Sequence, residues 1–238
     1  MPRKVDHEWR RAEITDAVVR LAGRSGLSGV TFREVAAEAG ISVALVQRYF
    51  ETKRNLILRT AEAVSIGMTD RFVGRLAKLG PDGPILDRLR ELALSFLPTD
   101  EESRRALIFY HQVGAVGLTD PTMRGVEAHG RADRLVDLVA DMLRQGQELA
   151  EVDDTVDAIV EARILLALMV GLSLSVLLEN QDLDQVTTAI DSQLARLRRI
   201  PLPGKTNRMI QREVSSRSTR SIESGMSVWD RSSRHRPR

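Results

Sequence analysis

The stretch Thr31–Lys53, TFREVAAEAGISVALVQRYFETK, decides the fold of this chain. Its first residue is followed three positions later by Glu34, a spacing in which a threonine side chain caps the free amides of a helix start. The helix that follows has about two turns and ends at Gly40, because glycine accepts the positive φ of a helix exit. Ser42 can cap a second short helix, residues 43–49. Two short helices joined by a tight turn with glycine predict a helix-turn-helix.

The second helix of such a motif enters the DNA major groove, where its first residues meet the base edges. Val46 and Phe50 are four residues apart and are expected to face inward. Gln47 and Arg48 face outward and are long enough to read adenine and guanine, respectively. The residues predicted to contact bases or phosphates are Arg33, Ser42, Val43, Ala44, Gln47, Arg48, Tyr49 and Lys53. The alternative is a plain helical hairpin within an all-α core.

These residues resemble the TetR family of transcriptional regulators. The family pattern has a threonine, a helix, alanine-glycine-valine-serine, a short helix, and phenylalanine-x-x-lysine-x-x-leucine. Residues 10–60 carry the resemblance, with Thr31, Ala39-Gly40-Ile41-Ser42, Phe50, Lys53 and Leu56 at the matching positions. The chain departs from the family pattern at one position, where Gln47 stands in place of a tyrosine that the family often has. This difference favours a role for Gln47 in base readout.

Composition excludes several classes of function. The 238 residues contain no cysteine, so disulfides, thiolate metal sites and cysteine nucleophiles are ruled out, in keeping with a reducing cytoplasm. The four histidines, at positions 7, 111, 129 and 235, have no metal-ligand spacing. No glycine-rich phosphate loop or nucleophile motif is present, so we expect neither an enzyme nor a cofactor. A charged start without an apolar core predicts no secretory signal.

Charge is distributed unevenly along the chain. Residues 1–60 have 11 Lys and Arg against 7 Asp and Glu, whereas residues 61–200 have 15 against 23. Residues 201–238 are again basic, with 9 against 3, and their Pro, Ser and Arg content predicts a disordered tail. A basic head on an acidic body predicts that only the head binds double-stranded DNA, although the tail could add non-specific affinity.

Helical periodicity predicts an all-α protein in which residues 1–52 form a three-helix DNA-binding domain. Residues 1–8 are expected to be an irregular arm. A long helix over residues 53–80 connects the head to a larger helical domain, residues 81–200. The TetR resemblance implies that this is the effector-binding and dimerisation domain. In that domain helices are expected to begin at Asp120-Pro121 and at Asp154 or Thr155. The TetR resemblance implies that the connecting helix carries an effector signal to the head.

The segment Ile164–Leu178 is apolar on nearly every face and has no charge over 15 residues. Because a membrane span needs about 20, we expect a buried helix and no membrane. Small residues such as Gly171 allow close approach of a partner helix, which predicts a four-helix interface between two identical subunits. A wholly intramolecular core is the alternative.

The acidic body loosely resembles the C-terminal domain of the BetI-like TetR regulators, mainly over residues 98–120 and near Gly171. The resemblance implies a pocket for a small apolar or amphipathic effector. Candidate effector-binding residues are Phe96, Phe109, Tyr110, His111 and Met169. The predicted function is therefore a homodimeric, ligand-responsive repressor of a palindromic operator. The alternative is a constitutive DNA-binding regulator or architectural protein without an effector.

Overall fold

A computed structural model of the protein describes residues 2–80, 83–123, 126–179 and 181–199, with the side chains of 2–6 and 126–132 excepted. These residues form nine α-helices and, apart from one isolated bridge between Val152 and Arg198, no β-pairing. The helices are α1 (Pro2–Ser25), α2 (Phe32–Glu38), α3 (Val43–Phe50), α4 (Lys53–Leu79), α5 (Ile85–Ser95), α6 (Glu101–Thr119), α7 (Val126–Glu148), α8 (Ala158–Glu179) and α9 (Leu183–Leu197). The predicted all-α fold is confirmed.

Side-chain caps fix the helix starts around the head. The hydroxyl of Thr31 accepts a hydrogen bond from the Glu34 amide at 3.2 Å, and Ser42 does the same for Leu45. Thr52 caps α4 through the amide of Asn55 at 3.1 Å. Gly40, with φ of 66°, supplies the left-handed exit from α2. Both helices of the predicted helix-turn-helix therefore begin where short polar side chains satisfy their free amides.

One apolar core joins the head to α6. The face of α1 that its spacing predicts, which includes Ile14, Val18 and Leu21, is buried against α2, α3 and the start of α4. Three side chains of α6 complete this core: Ala106, Leu107 and Phe109. The amide nitrogen of Gln112 also donates to the carbonyl of Ala22, at 3.2 Å. The first three helices therefore share their core with α6, which lies within the predicted second domain, residues 81–200.

A second core lies between α5, α7, α8 and α9. Leu89, Val139 and Leu143 are fully buried there, and the buried face of α9 lies in the same core. The long helix α4 contributes to both cores, Leu56 to Met68 to the first and Phe72 to the second. Phe96, at the end of α5, packs against both.

Three helix starts differ from the sequence prediction. α1 already begins at Pro2, where proline suits the first turn because its φ is preset and no amide is lost. Before α7, Asp120 binds the amide and hydroxyl of Thr122 and forms a separate turn, so α7 starts at Val126. Asp153 binds Thr155 in the same way, which leaves Asp157 to cap α8. Asp120 and Asp153 each bond both the amide and the hydroxyl of a threonine and form a turn of their own, whereas Asp157 bonds two successive amides of α8.

Candidate nucleic-acid interface

The outer face of α3 carries the side chains predicted to read DNA. Val46 is fully buried and Phe50 is 4% exposed, so these two residues anchor the helix to the head core. The opposite face presents exposed side chains, which are Val43, Ala44, Gln47 and Arg48, with exposed Ser42 at the helix start. After α3 the chain turns sharply through Glu51, whose φ is 54°, and α4 begins two residues later.

The cations of the head fall into two groups. Arg10 is paired with Glu13 and lies over the ring of Trp9, and Arg20 and Arg24 are both bonded to Glu38 of α2. These hydrogen bonds, first that from Arg24 and then that from Arg20, lower the pKa of the Glu38 carboxyl. The pairs of Arg20 and Arg24 with Glu38 therefore hold α2 against α1.

The second group has no carboxylate partner among the described residues. It consists of Arg11, Arg33, Arg48 and Lys53, all of them exposed. Three of these four, all but Arg11, are among the predicted DNA contacts. Charge left uncompensated on an exposed basic surface is available to a polyanion.

Tyr49 is half-buried, and its hydroxyl lies 2.7 Å from Nδ1 of His7 on α1. The two rings are 5.7 Å apart between centroids. Sequence analysis did not single out His7 for DNA binding, because 42 residues separate it from Tyr49 and no local pattern links the two positions.

Arg54, beside Lys53 at the start of α4, reaches the turn between α6 and α7. Its Nε and Nη2 donate to the carbonyl oxygen of Thr122 at 2.8 and 2.5 Å. The hydrogen bonds from Thr122, with a smaller effect of the Arg54 charge, lower the pKa of Asp120 in the same turn. Met123, at the end of the turn, is 8% exposed and packs into the head core. The turn is therefore attached to the head twice, and neither attachment was predicted from sequence.

The five candidate effector residues do not share one environment. Phe109 is fully buried in the head core, and Met169 is 2% exposed in the second core. Tyr110 is 38% exposed, on a different face of α6 from Phe109. His111 is half-buried, its Nε2 lies 3.2 Å from the hydroxyl of Ser173 on α8, and burial lowers the pKa of its imidazole.

A depression of about 350 Å³ opens at the surface between α1 and α6. None of the five candidate effector residues lines it. Its walls are formed by Asp16, Val19, Arg20, Glu101, Glu102 and Arg105. Within the described part of the chain, no group of three acidic or imidazole side chains converges as a metal site would require.

One face of α8 is apolar and exposed. Leu165, Met169 and Ser173 face the second core, whereas the opposite face carries apolar or small residues at alternating spacings of four and three. They are Val160, Ile164, Ala167, Gly171, Leu174 and Leu178, with Leu178 73% exposed. A Cβ added at Gly171 would meet no atom within 4 Å. Among the described helices, α8 is long and apolar enough to cross a membrane by length and composition, with a mean hydropathy of 2.0.

Comparison with known proteins identifies the two halves of the chain. Residues 14–60 match the family model for bacterial regulatory proteins of the tetR family, and residues 85–199 match that for the C-terminal part of BetI-type transcriptional repressors. The chain is 29% identical over 185 residues to the HTH-type transcriptional regulator PksA of Bacillus subtilis (strain 168), spanning 75% of this chain and 84% of that protein.

Two solved structures have the same fold. A TetR-family transcriptional regulator from Rhodococcus sp. aligns with a TM-score of 0.69 at 21% identity, covering 79% of this chain and 98% of that one. A transcriptional regulator from Saccharomonospora viridis, in complex with choline, also has a TM-score of 0.69, at 24% identity over 82% and 100% of the two chains. All three relatives are transcriptional regulators. With a helix-turn-helix in place and family matches over residues 14–60 and 85–199, the chain belongs to the TetR family of DNA-binding transcriptional regulators and has a BetI-type C-terminal domain.

Proposed function

We propose that the protein is a ligand-responsive repressor that binds a palindromic operator as a homodimer. The observation that carries sequence-specific binding is the outer face of α3. Small side chains at 43 and 44 allow close approach to the bases, and Gln47 and Arg48 extend from the next turn. Arg33, Tyr49 and Lys53 surround this face and bind phosphates, which fix the register of the head on the duplex. Residues 1–52 act as the DNA-binding domain, 53–80 as the connecting helix and 81–200 as the effector-binding and dimerisation domain.

The exposed face of α8 supports the dimer. Apolar residues at alternating spacings of four and three form the seam along which two helices pack. The other face of α8 is already occupied, because Ala162, Leu165 and Met169 are buried in the second core. The exposed side of α9 is small and polar, with Thr188, Ala189 and Ser192, so it can lie beside the partner's α8. Two-fold symmetry of the protein then matches two operator half-sites.

The effector binds between α6 and α8, where His111 and Ser173 form a polar pair within apolar surroundings. One polar pair in an apolar setting suits an amphipathic small molecule. Choline occupies the Saccharomonospora viridis relative, which supports a small-molecule site in this fold. The second candidate function, a constitutive regulator without an effector, is favoured by the tight packing of Phe109 and Met169.

Selection of bound sequences from random duplex DNA, with and without cell extract, tests the proposal. We expect an inverted repeat with half-sites one helical turn, or a multiple of it, apart. An extract component that releases the protein from this DNA would support the repressor. Recovery of unrelated sequences would exclude a specific operator, and release by no extract would favour the constitutive regulator.

Replacing Gln47 or Arg48 by alanine is expected to relax sequence preference at one or two operator positions. Each loss should be about 1–3 kcal/mol, because a bidentate contact to a base edge is removed. Lys53→Ala is the matched control: it should weaken all sequences alike and reduce the salt dependence, as a phosphate contact does. Equal losses of Arg48→Ala on operator and random DNA would make Arg48 a phosphate contact instead.

Arg54→Ala is expected to weaken communication between effector and operator. Its guanidinium ties the start of α4 to the turn at Thr122, so a shift of that turn can move Lys53 and the adjacent α3. Coupling in such regulators is worth about 1–3 kcal/mol, or 5- to 150-fold in operator affinity, and it is reciprocal. Calorimetry with the effector recovered from extract, with and without operator, measures this factor. Arg59→Ala, which removes only the pair with Glu62 on the same helix, should leave the coupling unchanged.

A further inference from the structure

The N-terminal helix brings a titratable group directly to a proposed phosphate contact. His7 is exposed, and its Nδ1 is within hydrogen-bond distance of the hydroxyl of Tyr49, at 2.7 Å. The contact links α1 to the helix that is proposed to read DNA. What DNA binding does to Tyr49 is therefore passed on to the imidazole.

A tyrosine hydroxyl has a single hydrogen to donate. In the free protein that hydrogen can go to an unprotonated Nδ1 of His7. When the hydroxyl donates to a phosphate oxygen instead, only its lone pairs remain for His7, so Nδ1 must carry the hydrogen of the 2.7 Å contact. A neutral imidazole with hydrogen on Nδ1 and an imidazolium both satisfy this requirement, but the negative phosphate nearby favours the imidazolium.

Among the described side chains, the charged neighbours of His7 on its own helix are Glu8, Arg10 and Arg11. Arg10 is committed to Glu13 and to the ring of Trp9. The group that α3 brings to His7 is Tyr49. The phosphate would therefore be the main charge that changes around the imidazole when DNA binds.

We propose that His7 and Tyr49 form a proton-linked phosphate clamp, in which His7 takes up a proton as Tyr49 engages the DNA backbone. The clamp rests on the proposed phosphate contact of Tyr49. Because the complex binds the proton more tightly than the free protein does, the extra affinity is fully present at low pH and is lost as pH rises through the range where histidine titrates. A proton held tenfold more tightly in the complex adds about tenfold to the affinity of each head.

The experiment measures operator affinity from pH 6 to pH 8.5 at constant ionic strength for four proteins: wild type, His7→Gln, Tyr49→Phe and the double variant. Glutamine keeps a donor for the tyrosine oxygen but does not titrate. We expect wild type to bind the operator at least about tenfold more tightly at pH 6 than at pH 8. His7→Gln should bind with nearly the same affinity at the two pH values. His111→Gln, which changes a histidine on α6, should retain the wild-type slope. Calorimetry in buffers of different ionisation enthalpy should detect proton uptake by wild type only.

The double-mutant cycle separates the clamp from the contact on which it rests. If the clamp exists, Tyr49→Phe weakens binding and loses most of the pH slope, and adding His7→Gln then changes little. The clamp would be overturned if the operator affinity of His7→Gln depended on pH as wild type does. Equal proton uptake by His7→Gln and wild type on binding would overturn it as well. If Tyr49→Phe weakens binding while His7→Gln behaves as wild type, only the clamp is wrong. Unchanged binding by Tyr49→Phe at every pH would refute the proposed Tyr49 contact as well.

Discussion

Gly171→Arg is expected to convert the protein into a monomer and to weaken operator binding by at least about 100-fold. Gly171 lies midway along the exposed apolar face of α8, with open space where a side chain would project. In a dimer that space is filled by the partner's helix. A guanidinium placed there would be buried without a counter-charge, which costs several kcal/mol per subunit. In a dimer, binding of the first head to the operator raises the effective concentration of the second head at its half-site. A monomer binds each half-site independently and loses this gain in affinity.

Gly74→Arg is the matched control for this prediction. Gly74 is also an exposed helical glycine with no atom within 4 Å of an added Cβ, but it lies on α4. Arginine is a better helix former than glycine by up to about 1 kcal/mol, so neither change should unfold its helix. Sedimentation velocity should give a monomer for Gly171→Arg and a dimer for wild type and Gly74→Arg. A well-folded Gly171→Arg dimer would locate the interface elsewhere.

The helix-turn-helix could be predicted because its signals are local. Thr31, Gly40, Ser42 and Thr52 each act on backbone within four residues, and the structure has a cap or a left-handed turn at every one. The same holds for the buried stripe of α1. Helix period and capping chemistry are properties of a short window, so one sequence suffices to find them.

The contacts between distant segments could not be predicted. The pairs His7–Tyr49 and Arg54–Thr122 are 42 and 68 residues apart, and nothing in either segment indicates its partner. The same is true of α6, whose amphipathic pattern predicts a buried face but not the core that buries it.

The candidate effector residues share side-chain types that suit a pocket, but their side chains point in different directions. Phe109 and Tyr110 are adjacent on α6, so their side chains point about 100° apart on a helix of 3.6 residues per turn. Such neighbours cannot both face one narrow pocket. Phe109 is fully buried in the head core and Tyr110 is partly exposed. The effector roles of Phe96, Phe109, Tyr110, His111 and Met169 remain proposals that ligand binding must test.

Phe109→Ala is expected to destabilise the whole protein by about 3–5 kcal/mol, the cost of removing a fully buried aromatic side chain. Domains of this kind have a total stability of about 5–15 kcal/mol, so the loss is a large fraction of it. The ring lies in the same core as Ile14, Val46 and Leu56 of the head. We therefore expect operator binding to be lost at lower temperature or lower denaturant concentration than in wild type.

Tyr110→Ala is the control for Phe109→Ala, since its side chain is 38% exposed on the neighbouring position of the same helix. It should cost about 1 kcal/mol or less. Urea unfolding followed by circular dichroism measures the stability of both variants, and operator binding at each urea concentration reports whether the head is folded.

If Phe109 lined an effector cavity instead, replacing it by alanine would change effector affinity with little loss of stability. If α6 folded independently of the head, the head would keep binding DNA after the body had unfolded. A single shared transition, displaced by Phe109→Ala, would mean that any effector acting on α6 acts directly on the core that holds the DNA-reading helix.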